Sequence, residues 1–392
     1  MRFLGTRISR RVAALSLFSV LLIVAAAPAP AQTESLLYNF CSLPGCADGE
    51  YPYTGLIIDK KGNLYGTTYE GGANGVGTVF EISANGTETV LHSFANNGTD
   101  GYSPVAGLIR DAKGNLYGTT QRGGTNGVGT VFKISAKGIE TILYSFAGGT
   151  DGAYPYAGLV MDKSGNLYGT TQLGGANNAG TVFELSANGT ETVLHSFAED
   201  GRDGFWPFGG LVMDKSGNLY GTTAQGGANS AGMVFEISNG TETILYSFAS
   251  GTDGAYPYAG LIMDAKGNLY GTTTQGGENN EGTVFKLSTT GTDKILHFFP
   301  AYGGDGKYPH AVVIRGKKGN LYGTTYGGGA YDEGTVFQLT TKGIETVLHS
   351  FANNGIDGYN AASGLVMDKS GNLYGTTVSG GIGGGTVFKV AP

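Results

Sequence analysis

Beyond residue 31, apolar residues come in short runs of four to seven positions, separated by glycine-rich polar stretches. Helix-length amphipathic stretches are missing from this region. One representative stretch shows the order. Leu159 to Asp162 is apolar, a Ser164-Gly165 turn leads to Asn166–Thr171, a glycine-rich loop leads to Thr181–Leu185, and Asn188-Gly189 leads to Glu191–Phe197. Short strands joined by glycine turns form an antiparallel meander. Asn-Gly fits a two-residue hairpin because both central positions need positive φ. The four strands are labelled a, b, c and d.

This unit recurs. Gly-Asn-Leu-Tyr-Gly-Thr-Thr begins at Gly62, Gly114, Gly165, Gly217, Gly267, Gly319 and Gly371, at intervals of 50 to 52 residues. An Asp-Gly pair keeps the same phase, at Asp48, Asp100, Asp151, Asp203, Asp253, Asp305 and Asp357. The seventh unit stops after its strand c, Thr386–Val390, so it lacks a strand d. Glu34–Phe40 reads like strand d elsewhere, as in Glu88–Phe94. One spare strand at the start and one missing at the end predict a closed ring, an all-β seven-bladed β-propeller. Strand 34–40 would complete the last blade and cover its open edge.

The first residues follow a different pattern. Arg2, Arg7, Arg10 and Arg11 precede an apolar run from Val12 to Ala27, and Ala29-Pro30-Ala31 follows. This is the grammar of a secretory signal peptide. The run is short for a retained anchor, which needs roughly twenty residues. The expected division is residues 1–31 as signal peptide and 32–392 as propeller. Removing the four arginines from 24 basic residues leaves 20 against 31 acidic, a net charge of −11. That balance argues against nucleic acid and anionic membrane surfaces as partners. A monomer without a membrane span after cleavage is expected, secreted, periplasmic or at the cell surface. Cys41 and Cys46 are the only cysteines. In an exported chain they are expected to form a disulfide that pins the exit of the first strand.

The recurring phrase Gly-Leu-Val-Met-Asp, then Gly-Asn-Leu-Tyr-Gly-Thr-Thr, Gly-Gly and Gly-Thr-Val-Phe resembles the bacterial GloVer tandem-repeat family. The a–b phrase also resembles NHL-type propeller blades. The GloVer resemblance implies an exported surface protein of unassigned biochemistry. Kelch propellers share the period but place a Trp in each unit, and Trp206 is the only one here.

The d–a and b–c connections are the long ones, and an up-and-down blade puts both on one rim, the expected working face. The d–a loop carries an aromatic-Pro pair, as in Tyr51-Pro52, Tyr154-Pro155 and Trp206-Pro207, often followed by another ring: Tyr53, Tyr156, Phe208 or Tyr258. Such rings beside a carboxylate suit sugars or peptide side chains. They equally suit packing between blades, with the Asp capping its own turn.

Residues that break the repeat are the sharper ligand-binding candidates: Arg202, Asp203 and Trp206 in the fourth unit, His310 in the sixth, and Arg110 and Arg315 at the end of strand a. Glu199, Asp200 and Asp203 form a partial calcium pattern without the full alternating loop. Calcium is the one cofactor considered. His92, His195, His297 and His349 share a strand-d position with Tyr38, Tyr144 and Tyr246. That exchange reads as outer-edge packing and not as metal ligation, and four histidines on four blades cannot chelate one ion. No zinc-protease, thiol-pair or nucleophile-elbow motif occurs. The expectation is a binding or scaffold protein, presenting similar pockets around the rim to a polysaccharide or surface protein. The alternative is a lyase or hydrolase with one site at the channel mouth, for which Arg110, Arg315 and His310 would have to converge.

Overall fold

The computed structural model describes residues 34–288, 291–302 and 304–391. The leader-like segment lies outside the described residues. The described chain forms seven four-stranded antiparallel sheets, each one blade of a β-propeller. In the third blade strand a is Val160–Met161, b is Leu167–Thr171, c is Thr181–Leu185 and d is Glu191–Ser196. Strand a is shorter than the apolar run Leu159–Asp162. Asp162 leaves the ladder to organise the a–b turn, where its Oδ1 accepts the N–H groups of Ser164 and Asn166.

The final blade has the order Glu34–Asn39, Thr386–Val390, Leu373–Thr377, Val366–Met367. The N-terminal strand is therefore its strand d. Pairing runs from Glu34 against Val390 to Asn39 against Thr386, and the register shifts between Leu36 and Tyr38. The same shift occurs within strand d of other blades, for example between Val182 and Phe183 of its partner strand. A bulge inserts one unpaired residue and increases local twist. Its reproduction in the clasp shows that this segment carries the full strand-d geometry. Phe40 N–H donates to the Gly385 carbonyl at 3.0 Å and carries the pairing one residue further.

Four residues of the invariant heptapeptide have separate tasks. Its first Asn ties the a–b turn: Asn166 Nδ2 donates to Asp162 Oδ2, and its Oδ1 accepts Ala187 N–H from the c–d turn. Its internal Gly makes room for a ring, since a Cβ on Gly169 would lie 2.7 Å from Phe183 Cζ. The first Thr reaches the next blade, as Thr170 Oγ1 donates to the Pro207 carbonyl at 3.1 Å. The second Thr stays within its blade, with Thr171 Oγ1 and Thr181 Oγ1 2.8 Å apart.

Buried phenylalanines join the blades further out. Phe40 meets Phe80 edge-on with centroids 4.9 Å apart, and Phe146 meets Phe183 at 5.1 Å, pairing strand d of one blade with strand c of the next. All four rings are fully buried. Each contributes roughly 1.5–3 kcal/mol by area, before the entropy of ordering the chain is counted.

Both long connections do lie on one rim, and they are hydrogen-bonded to each other there. Gly204–Phe205 of a d–a loop pairs with Gln225–Gly226 of the following b–c loop. Equivalent ribbons follow at Gly101–Tyr102, Gly254–Ala255, Gly306–Lys307 and Gly358–Tyr359. Sequence reading missed these ribbons because two residues are too few to show alternation.

Candidate functional site

The first aromatic of each d–a loop is architectural. Tyr51, Tyr154, Trp206, Tyr256 and Tyr308 all have φ between 55° and 57°. That left-handed conformation costs a bulky residue energy. It is held by flanking bonds: Trp206 N–H donates to the Ala179 carbonyl and its own carbonyl accepts Ala224 N–H. The following proline packs against the preceding blade, where Pro207 Cδ would lie 2.7 Å from a Cβ built on Gly180. Trp206 thus keeps the backbone role of the tyrosines it replaces, and its half-buried ring lies edge-on to Phe205.

The second aromatic turns toward the axis. Tyr156 lies 5.1 Å from Phe208, Phe208 5.3 Å from Tyr258, Tyr258 5.9 Å from His310, and His310 5.3 Å from Tyr326. Tyr258 and His310 are stacked, with ring planes 17° apart. On the first blade Tyr53 and Tyr69 meet edge-on at 5.6 Å. Burial raises the Tyr156 hydroxyl above its ordinary value, and the phenols of Tyr53, Tyr69 and Tyr258 add to the rise. Those groups belong to non-adjacent blades, and only the channel mouth brings non-adjacent blades together. The rings therefore form one aromatic bowl. Tyr53 and Tyr326 are each 40% exposed within it. His310 is exposed to the water of the bowl, yet its crowded position holds the imidazole below the usual histidine value through desolvation. That direction favours the neutral imidazole, which stacks on Tyr258.

The bowl is one-sided. The loops entering the second and seventh blades place Val105 and Ala362 where the others place rings. The rim therefore does not present seven equal pockets. Tyr69 and Tyr326 were missed as candidates. Their signal is positional: they directly follow the heptapeptide, where other units have Gln121, Gln172, Ala224, Thr274 and Val378.

Arg110 and Arg315 lie at the other rim. Each ends its strand a beside the a–b turn, and each guanidinium lies over a tyrosine of the preceding blade: Arg110 over Tyr65 at 5.5 Å, Arg315 over Tyr270 at 6.0 Å. Arg110 also faces Asp59, whose carboxyl lies below its usual value, with turn hydrogen bonds from Asn63 and Lys61 and the Arg110 charge outweighing its desolvation. The convergent cluster of Arg110, Arg315 and His310 that the enzyme alternative needs is not formed. In each blade strand a lies between the d–a loop, where His310 sits, and the a–b turn, where the arginines sit. Its apolar residues, including Val160, Val212 and Ile262, line a cavity of about 580 Å³.

The fourth d–a loop shows how the remaining candidates are used. Asp200 Oδ1 accepts the N–H groups of Arg202 and Asp203, so Asp200 caps its own turn. Asp203 Oδ2 accepts Ala198 N–H and faces His195 Nε2 at 3.2 Å. Asp203 is grouped with His195 and Glu242 rather than with Glu199 and Asp200. The partial calcium pattern is therefore not assembled as a site.

The strand-d histidines have a role that the sequence pattern concealed. In three junctions a tyrosine donates to the Asp of the Asp-Gly pair: Tyr38 to Asp48, Tyr144 to Asp151, Tyr246 to Asp253, at 2.9 to 3.0 Å. In the other four a histidine faces the same carboxylate. A residue at the start of the next strand d adds a second acid, such as Glu140 beside His92 and Asp100. Burial pushes Glu88, Glu140, Glu191 and Glu242 up to about 7, and the neighbouring aspartate adds to each shift. Cys41 and Cys46 are disulfide-linked directly after the clasp, beside the junction of Tyr38 and Asp48.

The repeat signature, the closed ring and its loop rim agree with one sequence family. The Gloeobacter/Verrucomicrobia repeat matches residues 23–212, 89–278, 149–313 and 260–392. The chain belongs to the Gloeobacter/Verrucomicrobia repeat family. As a Gloeobacter/Verrucomicrobia repeat protein it shares its fold with solved propellers of distant sequence. The extracellular domain of a candidate hybrid two-component system from B. thetaiotaomicron has a TM-score of 0.58 at 14% identity, covering 92% of this chain and 41% of that one. The extracellular domain of a candidate one-component system from the same organism has 0.58 at 11%, covering 91% and 40%. This chain thus spans about two fifths of those proteins' length. A candidate 6-phosphogluconolactonase from Bacteroides uniformis has 0.52 at 16%, covering 80% and 88%. At such identities the likeness is one of fold. No curated protein matches the chain.

Proposed function

We propose that this protein is an exported binding propeller whose aromatic channel mouth captures a carbohydrate chain. The observation that carries the proposal is the continuous run Tyr156, Phe208, Tyr258, His310, Tyr326, with successive centroids 5.1 to 5.9 Å apart. Sugar rings present apolar C–H faces that lie on aromatic rings, while the tyrosine hydroxyls supply hydrogen bonds at the edges. The rings that form the bowl carry no fixed charge, His310 being held toward its neutral form, which favours a neutral glycan over an anionic one. Export rests on the basic, apolar and small-residue order of residues 1–31 and on the Cys41–Cys46 disulfide.

The one-sided bowl favours a single binding direction across the mouth over the multivalent rim expected from seven similar units. A glycan-array screen of the mature protein tests the proposal. Binding to neutral polysaccharide fragments, lost on joint replacement of Tyr156, Phe208 and Tyr258 by alanine, supports it. Binding only to peptides, or glycan binding that survives the triple replacement, overturns it.

A further inference from the structure

Four of the seven blade junctions bring an imidazole and two carboxylates together at the outer edge of the ring. The groups are His92, Asp100 and Glu140; His195, Asp203 and Glu242; His297, Asp305 and Glu345; and His349, Asp357 and Glu34, each with its ligand atoms within 4.8 Å of one another. The His is on strand d of one blade, the Asp in the loop that follows, and the Glu near the start of strand d of the next blade. Three separate backbone segments, two strands and a loop, thus aim one donor each at a common point.

At two of the four junctions the distances are longer than those of a satisfied hydrogen bond, whereas His195 and His349 hydrogen-bond Asp203 and Asp357 at 3.2 and 3.1 Å. His92 Nε2 lies 3.4 Å from Asp100 Oδ2 and 3.4 Å from Glu140 Oε2. His297 Nε2 lies 3.6 Å from Asp305 Oδ2 and 3.3 Å from Glu345 Oε2. N–H···O bonds cluster near 2.9–3.0 Å. Two ligands on one tetrahedral zinc ion, each at about 2.0–2.2 Å, lie about 3.4 Å apart. Among the described residues both imidazole Nε2 atoms are buried without a hydrogen-bond partner, and so are Asp100 Oδ1, Glu140 Oε1 and Glu345 Oε1. The side chains of Glu345 and Asp100 are only 7% and 9% exposed. Unpaired polar atoms at such depth are costly unless something satisfies them.

An approach path is also present. His92, Asp100 and Glu140 line an open cleft of about 560 Å³ together with Asn97, Thr125 and Ser145. It leaves room for water to complete a coordination shell, as sites with three protein ligands require.

We propose that the four histidine-bearing blade junctions each hold a divalent transition ion of the zinc class, with histidine Nε2, the loop aspartate and the next blade's glutamate as protein ligands. One nitrogen and two carboxylates suit a borderline ion, whereas calcium takes six to eight oxygens. The ion ties adjacent outer strands together, as a buried structural metal does. The three tyrosine-bearing junctions are built-in contrasts: Glu88, Glu191 and Asp293 each keep an unpaired buried oxygen there too, but a phenol donates to the facing aspartate and no imidazole nitrogen is offered.

The test is the metal content of the mature protein, stripped with a chelator, re-exposed to zinc alone and gel-filtered. Wild type is expected to retain close to four zinc ions per chain. His92→Tyr and His297→Tyr, which install the residue that neighbouring blades already use, each lower the count by one. Tyr144→His, facing Asp151 and Glu191, raises it by one. Retention of less than one ion by folded wild type overturns the proposal. A count that both histidine replacements leave unchanged, with far-ultraviolet circular dichroism intact, overturns it too, since the zinc would then be at adventitious sites. Cobalt loading gives a second readout: tetrahedral absorption that falls stepwise in the same variants supports the assignment, and octahedral absorption in every variant contradicts it.

Discussion

Thr376 Oγ1 donates to the carbonyl of Pro52 at 2.9 Å, across 324 residues of chain. It lies 3.0 Å from the Thr54 carbonyl as well. The six other heptapeptides make the equivalent bond one blade onward, from Thr67 to Ala106 through Thr324 to Ser363. At the seventh blade the only remaining partner is the first blade's loop, so this contact closes the ring. Thr376→Val keeps the shape and removes the donor. It should lower the unfolding free energy by about 1–3 kcal/mol, the cost of leaving a buried acceptor unpaired. Urea unfolding measures this, and an unchanged midpoint would show that the closure bond carries no stability.

The clasp strand has a second anchor in Asp48, which is fully buried. Its carboxylate accepts from Tyr38 Oη at 2.9 Å, Ser42 N–H at 2.9 Å, Ser42 Oγ at 2.7 Å and Leu43 N–H at 3.2 Å. Asp48→Ala strands all four donors at once. A loss of about 2–4 kcal/mol is expected, with limited proteolysis beginning near residue 42. Cleavage that begins elsewhere would place the weak point outside the clasp.

Gly169 shows why the heptapeptide tolerates no side chain at that position. A Cβ there would meet Phe183 Cζ at 2.7 Å and Leu159 Cδ2 at 3.0 Å. Gly169→Ala should cost about 1–3 kcal/mol by overpacking, although its φ lies outside the left-handed region. Gly189, with φ of 91° and open space around it, should be destabilised by alanine through backbone strain alone, by about 1 kcal/mol.

Stability should fall as the pH rises from mild acid to neutrality. At the tyrosine-bearing junctions, burial and the facing aspartates push Glu88 and Glu191 from 4.5 up to about 7, and Asp293 from 3.8 up to about 6. The folded state then binds more protons than the unfolded chain between the ordinary and the raised values. Stability from these groups is therefore full below the ordinary values and is lost as the pH climbs through the raised ones. The turn carboxylates act in the opposite sense: Asp264, held down to about 2 by its Asn268 and Lys266 hydrogen bonds, loses its contribution only in strong acid. The thermal midpoint should peak near about pH 5 and decline toward about pH 8. Replacing Glu88 and Glu191 with Gln and Asp293 with Asn should flatten the decline, and a midpoint that rises over the same range would contradict the assignment.

The architecture was legible in the sequence because repetition multiplies weak signals. The heptapeptide and the Asp-Gly pair kept phase seven times, and the strand-d likeness of Glu34–Phe40 showed where the chain closes. The site was less legible. Trp206 drew attention by its rarity, yet its backbone conformation matches that of Tyr154 and Tyr256. Arg110 and Arg315 looked like channel-mouth residues because strand a lines the channel, but period-two reasoning does not tell which end of a two-residue strand a side chain occupies. The exchange of His92 for Tyr144 read as packing. In part it is, since both rings meet a phenylalanine edge-on. The two acids that complete the junction come from a loop and from another blade, and no linear motif links them.

Calorimetric titration of the best glycan from the array into the mature protein tests the central claim most directly. Each bowl ring removed should weaken binding roughly five- to tenfold, the equivalent of about 1 kcal/mol of stacking. Phe208→Ala and Tyr258→Ala should each show this loss, while Arg110→Ala on the opposite rim leaves affinity unchanged. Equal binding by wild type and Phe208→Ala, or a loss confined to Arg110→Ala, would contradict the assignment of the aromatic mouth as the binding site.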